Sequence, residues 1–285
     1  MKNYRMLLIL PLWYILSVPL VFSQNSDSGS SSELERLFSR LLVVSDDSVR
    51  LRINDSVEVI IDRYVKSDSV FSHNFKNVRF LGQITSPDSV IKIINWNLYL
   101  RNQPGKYNTY IIKKNINGTS NTVHNLKTLY RTEVIKSDTV YGKDNWYGAL
   151  YYGIRPQIIN GVKCWILLGI DYGNPEITRK IIDILYFGSD EKIIFGMKSF
   201  EAEKELRYRA VFEYSSEATM TLRFEGDDSI IFDHLVPFSP ELVNQRQYYG
   251  PQYTYDAYVL EGGIWKFKSN IDARNKDKEI TGYQK

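Results

Sequence analysis

Cysteine is almost missing: the 285-residue chain has one, Cys164. A single thiol excludes an intramolecular disulfide framework, and its place in the apolar run Val-Lys-Cys-Trp-Ile-Leu-Leu (162–168) suits a core side chain better than a nucleophile. Histidine is nearly as scarce. His73, His124 and His234 stand far apart and none is at ligand spacing from another, so no metal site is expected. Neither sign of charge prevails, since 36 Lys and Arg face 33 Asp and Glu, which leaves no field strong enough to hold nucleic acid or anionic lipid. The chain also lacks a nucleophile elbow, a phosphate-cradling P-loop, a dinucleotide glycine fingerprint and an H-E-x-x-H helix, so no cofactor is expected either.

What is present starts with an export signal over residues 1–23. Lys2 and Arg5 form a basic start, residues 6–21 are mostly apolar, and Val21-Phe22-Ser23 resembles a cleavage site. The apolar run is short for a membrane span and holds Pro11 and Pro19, and no cysteine follows it to carry a lipid anchor. The expected location is therefore exported, periplasmic or extracellular, with no membrane span after cleavage. Losing two basic residues and no acid takes the formal charge from +3 to +1.

Aromatic residues make up 14% of the chain, and 21 of them are tyrosines, which leans toward β structure. Residues 24–32, rich in Ser and Asp, are expected as a disordered tail. Residues 33–76 are expected as a helical segment, with one helix starting at Ser32 and carrying Leu34, Leu37, Phe38, Leu41 and Leu42, and a second capped at Asn54 and Asp55. From 77 to 275 the pattern is of strands and turns, including the hairpin dipeptide Asn117-Gly118, and 276–285 is a polar tail. Residues 180–187 could instead form a helical turn. The fold class is mainly β: an antiparallel meander, sandwich-like or an incomplete propeller, behind a short helical N-terminal segment. Three hairpin-like units at 186–195, 223–232 and 259–267 have blade-like spacing, but residues 100–180 do not keep the period, which favours the meander.

Two groups of residues are candidates for chemistry. Trp146 and Tyr147, and Tyr248, Tyr249 and Tyr253, offer rigid amphipathic contact area suited to an envelope protein or glycan partner, and Gly250-Pro251 is expected to put the second group in a loop. Asp233-His234 is the best acid–base pair, although neighbours on a strand point to opposite faces; Glu213, Glu217, Asp233, Glu241 and Asp256 could supply paired carboxylates. A further pattern is Asp, then Ser or Thr, then an aliphatic residue, which recurs at Ser48, Ser56, Ser69, Ser89, Thr139 and Ser229. It resembles the O-glycosylation acceptor of exported Bacteroidetes proteins, and Asp-Ser is equally cap and turn chemistry.

Ser86-Pro87-Asp88 leading to Asn95-Trp96-Asn97, the run Asn145 to Tyr152 (NWYGALYY), Phe232-Asp233-His234-Leu235 and Tyr249-Gly250-Pro251 together resemble a family of exported Bacteroidetes proteins of about this length. That family has no assigned function. The resemblance implies export and carries over no catalytic residue. The leading expectation is a non-catalytic binding or accessory protein of the bacterial envelope; the alternative is a glycan-directed envelope hydrolase using paired carboxylates or His234.

Overall fold

The computed structural model describes residues 26–115, 120–203 and 205–271. The export signal, the Asn117-Gly118 turn and the tail 276–285 lie outside the described residues. Helix α1 (Ser26–Val43) starts six residues before Ser32, so most of the stretch expected as a disordered tail is helical. Leu34, Leu37, Phe38 and Leu41 anchor its later turns in the core, and each residue added upstream of that nucleus gains a hydrogen bond. Helix α2 (Asp47–Tyr64) also starts earlier than expected, because Asp46 is the cap and accepts the Val49 N–H at 2.9 Å. Asn54 is not a cap: it is buried in mid-helix and accepts the Trp96 indole N–H at 2.9 Å.

Sixteen strands follow among the described residues. They are β1 (Gly82–Thr85), β2 (Ile91–Leu98), β3 (Lys106–Lys113), β4 (Thr122–Leu129), β5 (Tyr141–Gly142), β6 (Leu150–Ile159), β7 (Val162–Asp171) and β8 (Ile177–Phe187). Then come β9 (Ile193–Phe195), β10 (Phe200–Ala202), β11 (Glu205–Arg207), β12 (Ala210–Ser215), β13 (Leu222–Phe224), β14 (Ser229–Pro237), β15 (Tyr249–Glu261) and β16 (Ile264–Ile271). Residues 180–187 are thus strand, not a helical turn. The first sheet is the antiparallel meander β1-β2-β3-β4. The second has the order β5-β9-β8-β7-β6, with β12 beside the first half of β8. The third runs β11-β10-β16-β15-β14-β13 and is antiparallel apart from β10 against β16.

The layers can be read from residue parity. On β2 the even residues Ile94, Trp96 and Leu98 pack under the helices, while Ile91 and Ile93 face the second sheet. On β7, Trp165 and Leu167 face the first sheet, whereas Cys164, Ile166 and Leu168 face the third. The order is helices, first sheet, second sheet, third sheet. With both faces covered, the second sheet needs near-continuous apolar strands, which explains the run at 162–168. The three hairpin units are β8–β9, β13–β14 and β15–β16; two of them share one sheet, so they are not blades of a propeller. Among the described residues no helix is long and apolar enough to cross a membrane, which says nothing of a β-barrel.

Buried charge fastens the irregular segments. Arg209 and Asp183 form a fully buried pair at 2.9 Å, and Arg209 also donates to the carbonyls of Lys136, Thr139 and Phe195. Arg179 bonds Asp171 and Glu213 and donates to the Thr132 carbonyl at 2.8 Å. The two guanidiniums thus satisfy backbone groups of a stretch, 130–140, that has no ladder of its own. Lys92 plays the same part under the helices. Its ammonium sits among Tyr64 Oη, Val70 O, His73 O and Asn74 Oδ1 at 2.6–2.8 Å, and burial pushes it down to about 8.

Candidate functional site

The aromatic pair expected to face a partner does not. Trp146 and Tyr147 are 2% and 5% exposed, and they pack between the first and second sheets. Their polar tips are used internally: Trp146 Nε1–H donates to Tyr151 Oη at 2.9 Å, and Tyr147 Oη–H donates to Asp183 at 2.8 Å. Burial holds the Tyr147 hydroxyl well above its usual range. Gly148 beside them has φ +90°, and a Cβ there would meet Thr128 and Tyr107 at 2.6 Å. The NWYG motif is therefore packing chemistry. So is Asn95-Trp96-Asn97, whose Asn95 amide donates to the Tyr151 carbonyl across the first two sheets.

The second aromatic group divides. Tyr249 is buried under the Arg246 guanidinium, 4.5 Å from its ring centroid, and accepts the Asn244 N–H. Tyr248 is exposed and closes a 3-10 turn, Arg246–Tyr248, while Tyr253 is fully exposed. Gly250-Pro251 does not make a loop. Both residues lie on β15, where Pro251 pairs with Leu235 across β14 and lacks only a donor.

Three irregularities in the third sheet meet near these residues. From Asp233 to Leu235, β14 advances two residues while β15 spends four, Tyr255 to Pro251, so Tyr253 bows out of the ladder opposite His234. Between β15 and β16 the register slips again, from Tyr255↔Ile271 to Ala257↔Lys268, around Asp256. The third is Asn270 at φ +54°, within the slipped stretch of β16. Bulges re-aim side chains that a regular strand would point elsewhere.

Here His234 lies two residues past Phe232 on the same face of β14, diagonal to Asp256, which pairs with Phe232. Asp233 and His234 do not bond each other; Asp233 Oδ2 accepts the Thr221 N–H at 2.7 Å. His234 Nδ1 is instead 2.7 Å from Asp256 Oδ2, and the other oxygen, Oδ1, accepts the Asn270 N–H at 3.1 Å. The Asp256 side chain is 6% exposed and that of His234 36%. The sequence places Asp256 among the acids and His234 among the bases, but only the β14–β15 pairing brings the two together.

The pair lines a cleft of about 570 Å³ between β12 and the inner face of the third sheet. Its wall is aromatic. Phe212 and Phe232 have ring centroids 4.4 Å apart, Phe232 lies 5.7 Å from Tyr258, and Phe267 lies 5.8 Å from Tyr258. Arg246 and Glu213 are at the polar side, with Glu213 tied to buried Arg179 at 2.8 Å. The volume suits a small ligand, and an apolar wall with few converging polar groups is the usual make-up of a binding site. Other hollows do not bring an imidazole and a carboxylate together against an aromatic wall. One of about 1060 Å³ lies under residues 130–139, but its Asp171 is taken up by Tyr107 and Arg179. Another holds Lys113 and Lys163, which pair with Glu191 and Asp88. Among the described residues no group of His, Cys, Asp and Glu could hold a metal ion. Burial pushes the Cys164 thiol up to about 12, which leaves it no reactive thiolate.

No protein-family model matches this chain. No curated protein matches it either.

Proposed function

We propose that this is an exported, non-catalytic binding or accessory protein of the bacterial envelope, and that it takes its partner, protein or glycan, in the aromatic-walled cleft beside His234. The observation that carries this is the meeting of exposed Phe267, the Phe232/Tyr258 wall and the His234–Asp256 pair in one concavity. Export rests on the basic-then-apolar start of the chain and on the resemblance of its motifs to exported Bacteroidetes proteins. Affinity capture from native envelope extract tests it. Wild type should retain a specific protein or glycan that Phe267→Ala loses, while Phe80→Ala, at an exposed position ahead of β1, should retain it. Equal retention by all three, or no specific retention, would overturn the proposal.

A second reading, the envelope hydrolase, draws on the same imidazole–carboxylate pair. Two of the expected acids do not help it, because Glu213 is bound to Arg179 and Asp233 to a backbone N–H. Release of reducing ends from envelope glycans, abolished by His234→Gln, would establish the hydrolase and displace the first reading.

The six Asp-Ser/Thr sites occupy different settings. Ser48 and Ser56 are exposed on α2, and Ser89 is exposed at a left-handed turn residue with φ +55°. Ser69, Thr139 and Ser229 are half-buried. We propose glycosylation at one or more of the exposed three. Protein from its native host should then exceed the mass of the bare mature chain by whole sugar units, and an unaltered mass would sink the idea.

A further inference from the structure

The hydrogen-bond polarity of the cleft follows from the pair at its edge. An ionised carboxylate has no proton to give, so Asp256 Oδ2, 2.7 Å from His234 Nδ1, must be accepting. The carboxylate is held in that role from behind. Its Oδ1 accepts the Asn270 N–H, so it cannot turn away without leaving a backbone donor unsatisfied. In the neutral imidazole the proton is therefore on Nδ1, and Nε2 carries a bare lone pair. Among the described residues no hydrogen bond to Nε2 occurs, and the side chain lines the cleft, partly open to solvent. With the imidazole neutral, the site presents an acceptor beside an aromatic wall.

Resting on the binding role of the cleft, we infer that its ligand is a ring bearing hydroxyl donors, a neutral saccharide, and that His234 Nε2 accepts one of those hydroxyls while Asp256 positions it. The fit is chemical on both sides. Phe267, exposed next to Tyr258 and Phe232, offers a flat face to the C–H side of a pyranose ring. The bare imidazole nitrogen rewards a ligand O–H and leaves a ligand offering only acceptors unpaired. His234 is thus a specificity-determining residue and Asp256 a positioning residue.

Two measurements test this. Long-range nitrogen–proton NMR of the imidazole should show the proton on Nδ1 in wild type. In Asp256→Asn the amide oxygen keeps the Asn270 N–H, the amide nitrogen donates to Nδ1, and the proton should move to Nε2. Titration with neutral trisaccharides of glucose and of N-acetylglucosamine should show binding to wild type. It should weaken about tenfold or more for the same sugars after per-O-methylation, which removes every O–H that could reach Nε2, while Asp256→Asn, whose Nε2–H a hydroxyl meets by accepting, should still bind the unmethylated sugars. His234→Phe should weaken binding similarly, compared at a temperature where the variant, which leaves the buried Asp256 carboxylate one partner short, remains folded.

A wild-type proton on Nε2, or undiminished binding of the per-O-methylated sugars, would overturn the inference. If no trisaccharide binds wild type while Phe267-dependent capture from envelope extract succeeds, the ligand class is wrong and the cleft's binding role stands. If that capture also fails, the binding role itself is lost.

Discussion

Arg209, Asp183, Arg179 and Lys92 occupy core positions where side chains are usually apolar, and each is nearly or wholly buried. Burying a charge costs several kcal/mol unless a partner offsets it, so each is surrounded by groups of opposite polarity. Burial pushes the Asp183 carboxyl above its ordinary value, and the adjoining Arg209, Tyr147 and Ile184 groups work against that. Arg209→Met would strand this carboxylate and free three carbonyls at once. It should destabilise the protein by about 3–5 kcal/mol in chemical unfolding, and Arg209→Met combined with Asp183→Leu should recover part of the loss. A double variant no more stable than the single one would show that the carbonyls, and not the charge, set the cost. Nothing in the local pattern distinguishes these arginines from the surface ones, because their partners come from strands or loops 8 to 73 positions away.

At the scale of single elements, α2 shows how an end is tied down. Asp46 caps it, and Asp47 in its first turn accepts the backbone N–H groups of Arg101 and Asn102 at 2.9 and 2.8 Å. Those two bonds hold the Asp47 carboxyl below its ordinary value. A carboxyl whose pKa is lower folded than unfolded stabilises the fold above its unfolded value, and that stability is lost as pH falls through the folded one. Asp47→Asn should therefore lower Tm at pH 7 and flatten the acid limb, so that Tm falls less between pH 5 and pH 3 than in wild type. Parallel Tm–pH curves for the two proteins would reject this role. The helices were legible in Leu34, Leu37, Phe38 and Leu41, and in Val57 and Ile61, at 3.6-residue spacing. Their starts were not, because several Ser and Asp residues compete as caps and only burial of the later turns selects among them.

For the whole molecule, the stack of helices and three sheets makes the second sheet the common core. Leu167 packs against the first sheet, and its neighbours Ile166 and Leu168 pack against the third. Leu167→Ala should cost about 2–5 kcal/mol, and helix and sheet signals should still be lost in one transition, since every layer shares a face with the next. Separate transitions for the helical signal and the aromatic near-ultraviolet signal would show that the layers fold independently. The cleft belongs to this scale too: Phe212 comes from a strand of the second sheet, and Phe232, Tyr258 and Phe267 from the third.

By itself the sequence determined the β character, the two helices, the absence of a disulfide framework and the strand runs, because those depend on periodicity and residue type within one segment. It also marked His234 and Asp256 as titratable residues in strand territory. Which aromatics are buried, and that His234 meets Asp256 rather than Asp233, only the tertiary structure decided. Trp146 and Tyr147 have the composition of a binding surface, yet the facing sheet covers them. His234 reaches Asp256 because Phe232, two residues before it on the same face, pairs with Asp256, and the register between strands is a property of their pairing, not of either strand alone.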